Sequence, residues 1–186
     1  MEADIIKADN YLFKEYWNQL LEIYEEAATN GILEQYLDME KEAKYLKEVF
    51  NSWEGFFAVE GENLIGFILS MPLSYDKLLP ESLRKRYPLK RCFYIEELHI
   101  NKNHRRKGIG SNLIKITLKN IDRKRYDYLF IRAAIKNIPA INLYKKLGFI
   151  PDEKIKQKKI KKDRSGTFML TKQYLVQRLN YFQQFL

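Results

Sequence analysis

The sharpest chemical signal in the chain is the run Arg105-Arg106-Lys107-Gly108-Ile109-Gly110, set between a strand-like stretch and one of helical spacing. A helix start offers backbone N–H groups without acceptors and a partial positive charge. Glycines remove the side chains that would hold a diphosphate away from those donors. Three adjacent cations add attraction to it. The implied chemistry is the grip of a phosphorylated ligand, and the plain alternative is a basic turn capping a helix. Two familiar phosphate motifs are excluded. The P-loop spacing is absent, and Leu113 stands where a dinucleotide fingerprint needs a third small residue. Just upstream, Glu96 and Glu97 interrupt an otherwise apolar strand. A carboxylate in such a strand is costly unless paired or hydrated. Burial and mutual repulsion raise one of the two pKa values toward neutrality, which suits a general base. A structural ion pair with a loop lysine or arginine is the alternative for Glu96 and the favoured reading for Glu97. Strand alternation sends the two side chains to opposite faces.

The elements that must position these groups follow from periodicity. Residues 11–28 have helical spacing with Trp17, Leu20, Leu21 and Tyr24 on one side, stopped by Asn30-Gly31. Asp38 caps a second helix ending near Phe50, with Leu46, Val49 and Phe50 facing inward. Residues 56–59 and 64–71 form a hairpin around the turn 60–63. Residues 72–91 read as a long irregular connection, a length that is often functional. Strands over 93–100 and 128–134 bracket a helix from Gly110 to about Lys124, and a further helix over 139–147 stops at Gly148. The lysine-rich tail from Asp152 reads as an antiparallel hairpin turning at Asp163-Arg164-Ser165-Gly166, with a short helix from Lys172 to the end as an option. The pattern is a mixed α/β chain, read as one domain over residues 1–186.

Composition narrows the class. The chain carries 46% hydrophobic and 31% charged residues, as globular domains do. Its formal charge of +9 favours anionic partners without choosing among them. Cys92 is the only cysteine, so no internal disulfide forms, and one Cys with two His makes no usual zinc site. No signal peptide and no membrane span is visible, and the expectation is a cytoplasmic protein without metal. No aromatic RNA motif or zinc finger supports nucleic-acid binding.

Residues 105–110 fit Arg/Gln-x-x-Gly-x-Gly/Ala through Arg105, Gly108 and Gly110. A second stretch, Asn137-Ile138-Pro139-Ala140-Ile141-Asn142-Leu143-Tyr144-Lys145-Lys146-Leu147-Gly148-Phe149, fits Asn-x-x-Ala-x-x-Leu-Tyr-x-x-Leu-Gly-Phe. Two such motifs in this order, each in a strand–helix setting, resemble the GNAT superfamily of N-acetyltransferases over residues 94–149. The resemblance implies a twisted, mostly antiparallel sheet with two splayed central parallel strands, flanked by helices. It implies acetyl-CoA as the acetyl donor and an amine as acceptor. Amides from about Lys107 through Gly108, Ile109 and Gly110 to Ser111, with Arg105 and Arg106 beside them, would hold the pyrophosphate. Leu98, His99 and Ile100 would lie along the pantetheine arm, pairing through their backbone. Asn137 would bond to the pantetheine side.

Acetyl transfer needs a neutral amine, a base and an acid for the departing thiolate. By resemblance to polyamine acetyltransferases, Glu96 is the base; Tyr144 is the acid, unless it is simply core. Glu97, Tyr36, Tyr75 and Tyr87 are candidate acceptor-lining residues, and Asp76 a candidate for attracting a cation. Arg132 stands where some members carry a catalytic Glu, which argues against ribosomal-protein N-terminal acetylation. The acceptor is either a small amine or a peptide or protein amine. A non-catalytic acyl-CoA-sensing module on the same fold is the alternative function, and a homodimer is left open.

Overall fold

The fold is described from a computed structural model over residues 3–29, 33–50 and 54–179, with Val49 described by its backbone only. The stop signal at Asn30-Gly31 and the inward side chain of Val49 lie outside the described residues. A short strand, β1 (Asp4–Lys7), precedes α1 (Asn10–Glu15), which Asp9 caps by accepting from the Leu12 N–H at 2.8 Å. The helix expected over 11–28 is broken at Tyr16, and α2 (Trp17–Thr29) follows. Then come α3 (Met39–Phe50), β2 (Glu54–Glu60) and β3 (Asn63–Pro72). The long connection is not irregular throughout, because it holds α4 (Glu81–Arg86) between two 3₁₀ turns. The chain continues with β4 (Cys92–Ile100), α5 (Ile109–Asn120), β5 (Tyr128–Ala134) and α6 (Ile138–Lys146). It closes with β6 (Ile150–Ile160) and β7 (Thr167–Arg178). The optional tail helix from Lys172 is corrected as far as Arg178: this stretch is strand, with Tyr174 and Leu175 fully buried in pairing with β5, and the remainder after Leu179 lies outside the described residues.

The seven strands form one sheet in the order β1-β2-β3-β4-β5-β7-β6, antiparallel except between β4 and β5. Two-residue alternation divides its side chains between two layers. Phe56, Ile65, Ile68, Ile95, Ile131 and Leu175 pack against α5 and α6. On the other face Phe57, Phe67 and Leu69 meet the first three helices, and Met71, Tyr94, Phe130 and Tyr174 meet the α4 segment. Among the described residues no helix is long and apolar enough to cross a membrane.

Two irregularities shape the middle of the sheet. Parallel pairing of β4 with β5 runs from Cys92–Tyr128 to Ile95–Ile131 and stops. Beyond it, β4 stays with β3 to Ile100 and β5 stays with β7 to Ala134, so the two strands part. At the point of parting, Leu69 faces Glu97 and Ser70 faces Ile95, which leaves Glu96 as a surplus residue in a β-bulge.

Candidate active site

The bulge corrects the expectation that Glu96 and Glu97 face opposite ways. An extra residue breaks the alternation, and both carboxylates turn to the face covered by the first three helices. Glu96 accepts from the Tyr45 hydroxyl of α3 at 2.7 Å. Glu97 lies 2.5 Å from His99 Nε2, and that ring packs against Tyr24 of α2. The pKa of Glu96 is raised, first by burial and then by the charge of Glu97, while Arg132 and the Tyr45 hydrogen bond act to lower it. Its second oxygen, Oε2, is buried without a hydrogen-bond partner. A buried, raised carboxylate with one oxygen free of hydrogen bonds has the properties of a proton acceptor.

Arg132 of β5 fixes the far side of this chamber. Its Nη1 lies 3.1 Å from Asp76 Oδ2 and donates to the Tyr174 hydroxyl at 2.6 Å, and Tyr174 donates to Asp76 at 2.6 Å. Arg132 and Asp76 are only 5% and 2% exposed, so the pair is shielded from screening. Asp76 is therefore engaged inside the protein, which corrects its expected role in attracting a cationic acceptor.

The open edge of β4 lies beside the gap. The Asn101 N–H donates to Ile65 O, and the antiparallel register then alternates residues bonded to β3 with residues turned outward. Leu98 thus presents both backbone groups to the gap and Ile100 its N–H, the Ile100 carbonyl accepting from Arg105, while His99 pairs with Phe67. That excludes His99 from the cofactor-pairing set, since its backbone serves β3 and its ring serves the helical layer.

At the end of β4 the basic loop turns into α5. Gly108 sits at φ +83°, and a side chain there would meet nothing within 4 Å. The helix's first hydrogen bond runs from Asn112 N–H to Gly108 O. The amides of Ile109, Gly110 and Ser111 precede that bond and have no acceptor within the helix. Arg106 and Lys107 are exposed on this loop. Arg105 is turned back: its Nε donates to Ile100 O at 3.0 Å and its Nη2 pairs with Glu26 of α2 at 2.6 Å. The arginine of the motif thus braces the loop rather than extending over it.

Asn137 caps α6, its Oδ1 accepting from the Ala140 N–H at 3.2 Å. Tyr144, on the same helix, is buried, 6.2 Å from Phe149 between ring centroids. Its pKa is raised by burial first and then by the charge of Glu97, so the phenol keeps its proton at neutral pH.

The acceptor-lining candidates separate. Tyr36 lies at the β6–β7 hairpin tip, its hydroxyl accepting from Arg164, whose guanidinium stacks 4.0 Å over the ring. Tyr75 is 64% exposed and acts electrostatically on Tyr126, at the end of the sheet away from the gap. Tyr87 is committed to Asp152, to which it donates at 2.5 Å. Sequence reasoning missed Tyr45, which carried no motif, and Lys172. The latter was legible in principle as a lone cation on the inward alternation of β7 between Leu170 and Tyr174.

A family profile described as "Acetyltransferase (GNAT) family" matches residues 17–149. N-alpha-acetyltransferase 30 of Dictyostelium discoideum is 34% identical over 101 residues, covering 53% of this chain and 48% of that protein. The chain thus spans about half the length of that relative. An N-acetyltransferase of Staphylococcus aureus Mu50 superposes with TM-score 0.72 at 19% identity, covering 97% of this chain and 100% of that one. The yncA protein of Salmonella typhimurium, solved with its cofactor acetyl-CoA, superposes with TM-score 0.70 at 16% identity, covering 97% and 95%. At these identities the structural likenesses speak for the fold.

Proposed function

The chain belongs to the GNAT acetyltransferase family, and from that membership we propose that it moves an acetyl group from acetyl-CoA to a primary amine. The observation that carries the reading is the parting of β4 and β5 beside an α5 N-terminus whose glycine leaves open space where a side chain would stand. The residues present fit the donor. Amides of Ile109, Gly110 and Ser111 suit a diphosphate, and a peptide-like arm can pair with the backbone of Leu98 and the N–H of Ile100 as an added strand. When bound, acetyl-CoA supplies a thioester carbon open to attack by an amine.

The chain's own groups then handle protons. Glu96 Oε2, buried and without a hydrogen-bond partner, takes a proton from the acceptor nitrogen, directly or through water. Its raised pKa keeps it a strong enough base at neutral pH. Tyr144 holds a proton on its hydroxyl and donates it to the departing sulfur. Tyr45 fixes the other oxygen of Glu96, and Arg132, held 3.1 Å from Asp76, makes only a long 3.9 Å ion pair with Glu96.

The similarity to N-alpha-acetyltransferase 30 supports a peptide α-amine as the acceptor. The decisive test is acetyl-CoA consumption on a panel of polyamines, aminoglycosides and peptides, with Tyr144→Phe as the control. Turnover on one amine class, lost in the variant, supports the reading. Tight acetyl-CoA binding with no turnover on any amine overturns it in favour of a sensing module.

A further inference from the structure

Lys172 is a half-buried cation. It lies on β7 opposite Ala134, the last paired residue of β5, and by alternation it shares a face with Tyr174 and Leu170. Among the described residues its ammonium has no hydrogen bond and no ion pair. Burying a cation without a partner is costly, and such a residue in a cleft is a functional-site candidate.

A cleft of about 930 Å³ opens beside it. The lining includes Leu170 and Thr171, which precede Lys172 in β7, and Ile135, which follows its partner Ala134. The cleft runs between residues 33–34 after α2 and the β6–β7 hairpin, and Lys172, next in β7 after the lining residues Leu170 and Thr171 and opposite Ala134, borders it by its place in the strand. Lys136, Lys161 and Lys162 line it, against Glu34 and Asp163. Past Lys172, towards the gap, the sign reverses at Glu96 and Glu97, both within electrostatic reach of its ammonium. Arg132 and Lys159 also act on it, and both oppose its charge. The charge is therefore negative at Glu96 and Glu97, where an amine must lose its proton, and positive at Lys172 beside them.

Resting on the proposed acetyl transfer, we propose that this cleft receives the N-terminus of an acidic peptide, with a carboxylate near the reacting amine pairing with Lys172. The missing counter-charge then arrives with the acceptor. The size of the cleft suits several residues rather than a free amino acid. A polyamine, positive at both ends, would set its second charge against Lys172, although Glu96 occupies the place of a polyamine-type base.

The test uses the full chain and three peptides that share an N-terminal methionine, followed by acidic, neutral or basic residues, with spermidine as a fourth acceptor. The acidic peptide should show kcat/KM about tenfold above the neutral one, equal to about 1.4 kcal/mol, with the basic peptide and spermidine lowest. Lys172→Met should remove that advantage mainly through KM, and Lys172→Arg should retain most of it. In the unmodified protein, KM for the acidic peptide should rise with ionic strength. A neutral or basic acceptor turned over as well as the acidic one overturns the inference while leaving acetyl transfer intact. Discrimination unchanged in Lys172→Met also overturns it. Should no amine be acetylated, the transfer reading fails, and fluorescence anisotropy with the same labelled peptides still decides. Tighter acidic binding that is lost in Lys172→Met supports the role of Lys172; equal binding refutes it.

Discussion

Arg132 Nη2 stops 3.9 Å from Glu96 Oε2, beyond hydrogen-bonding reach, while Nη1 of the same guanidinium sits 3.1 Å from Asp76. The arginine is thus held back from the carboxylate it could neutralise. Glu96 keeps a raised pKa because burial and Glu97 outweigh this distant cation.

Asp76→Asn should release that restraint. Arg132 gains freedom to pair with Glu96, and one negative charge that raises Glu96 disappears. Both changes lower the pKa of Glu96, so the acid limb of the kcat/KM profile should move to lower pH. Breaking a buried pair should also cost about 3 kcal/mol, read by denaturant unfolding. An unmoved acid limb would separate Asp76 from the tuning of Glu96.

Glu96→Gln should cut turnover about 100-fold or more and remove the acid limb. The same variant should be more stable than the parent at neutral pH. A raised carboxyl favours folding only below the ordinary carboxyl range, and that preference is lost as pH rises through the raised value. Calorimetry at neutral pH should show a higher Tm for the variant, and a lower one would mean the carboxylate is structural.

Gly108→Asp should abolish acetyl-CoA binding by setting a carboxylate in the open space before α5. At φ +83° any side chain is strained, so Gly108→Asn, which tolerates that region better, is the control for backbone cost. Calorimetric titration should find affinity lost in the first variant and largely kept in the second. Equal affinity in the aspartate variant would place the diphosphate elsewhere.

Lys172 makes a separate prediction about stability. Its pKa is lowered to about 8, chiefly by burial, so the folded chain gives up a proton that the unfolded chain holds up to about pH 10.5. Stability contributed by this group therefore rises with pH across that window. Lys172→Met should flatten the rise and stabilise the protein below pH 8, by about 3 kcal/mol at most. Urea midpoints at neutral and alkaline pH would show it. A destabilised Met variant would mean the ammonium has a partner in the folded chain.

The sequence carried the parts of this site that are local. The bounds of β5, the helix start after Gly108 and the carboxylates of β4 were legible from alternation, glycine placement and charge in an apolar run. The break at Tyr16 was not, because the apolar spacing continues across it. The bulge at Glu96 was hidden, since it depends on which residues of β3 lie opposite. Asp76 and Arg132 are 56 positions apart, and Tyr45 and Glu96 are 51, so neither pairing leaves a trace in any short window. Local sequence therefore offers Asp76 only as a group that could attract a cation, whereas the fold commits its charge to Arg132 and Tyr174.

The surplus residue in β4 also makes the placement of the carboxylates a matter of arithmetic as much as of composition. Loss of a single codon there would restore strict alternation, and the strand could no longer turn two adjacent glutamates to one face. Length, at this one position, is as heritable a determinant of the chemistry as the glutamate itself.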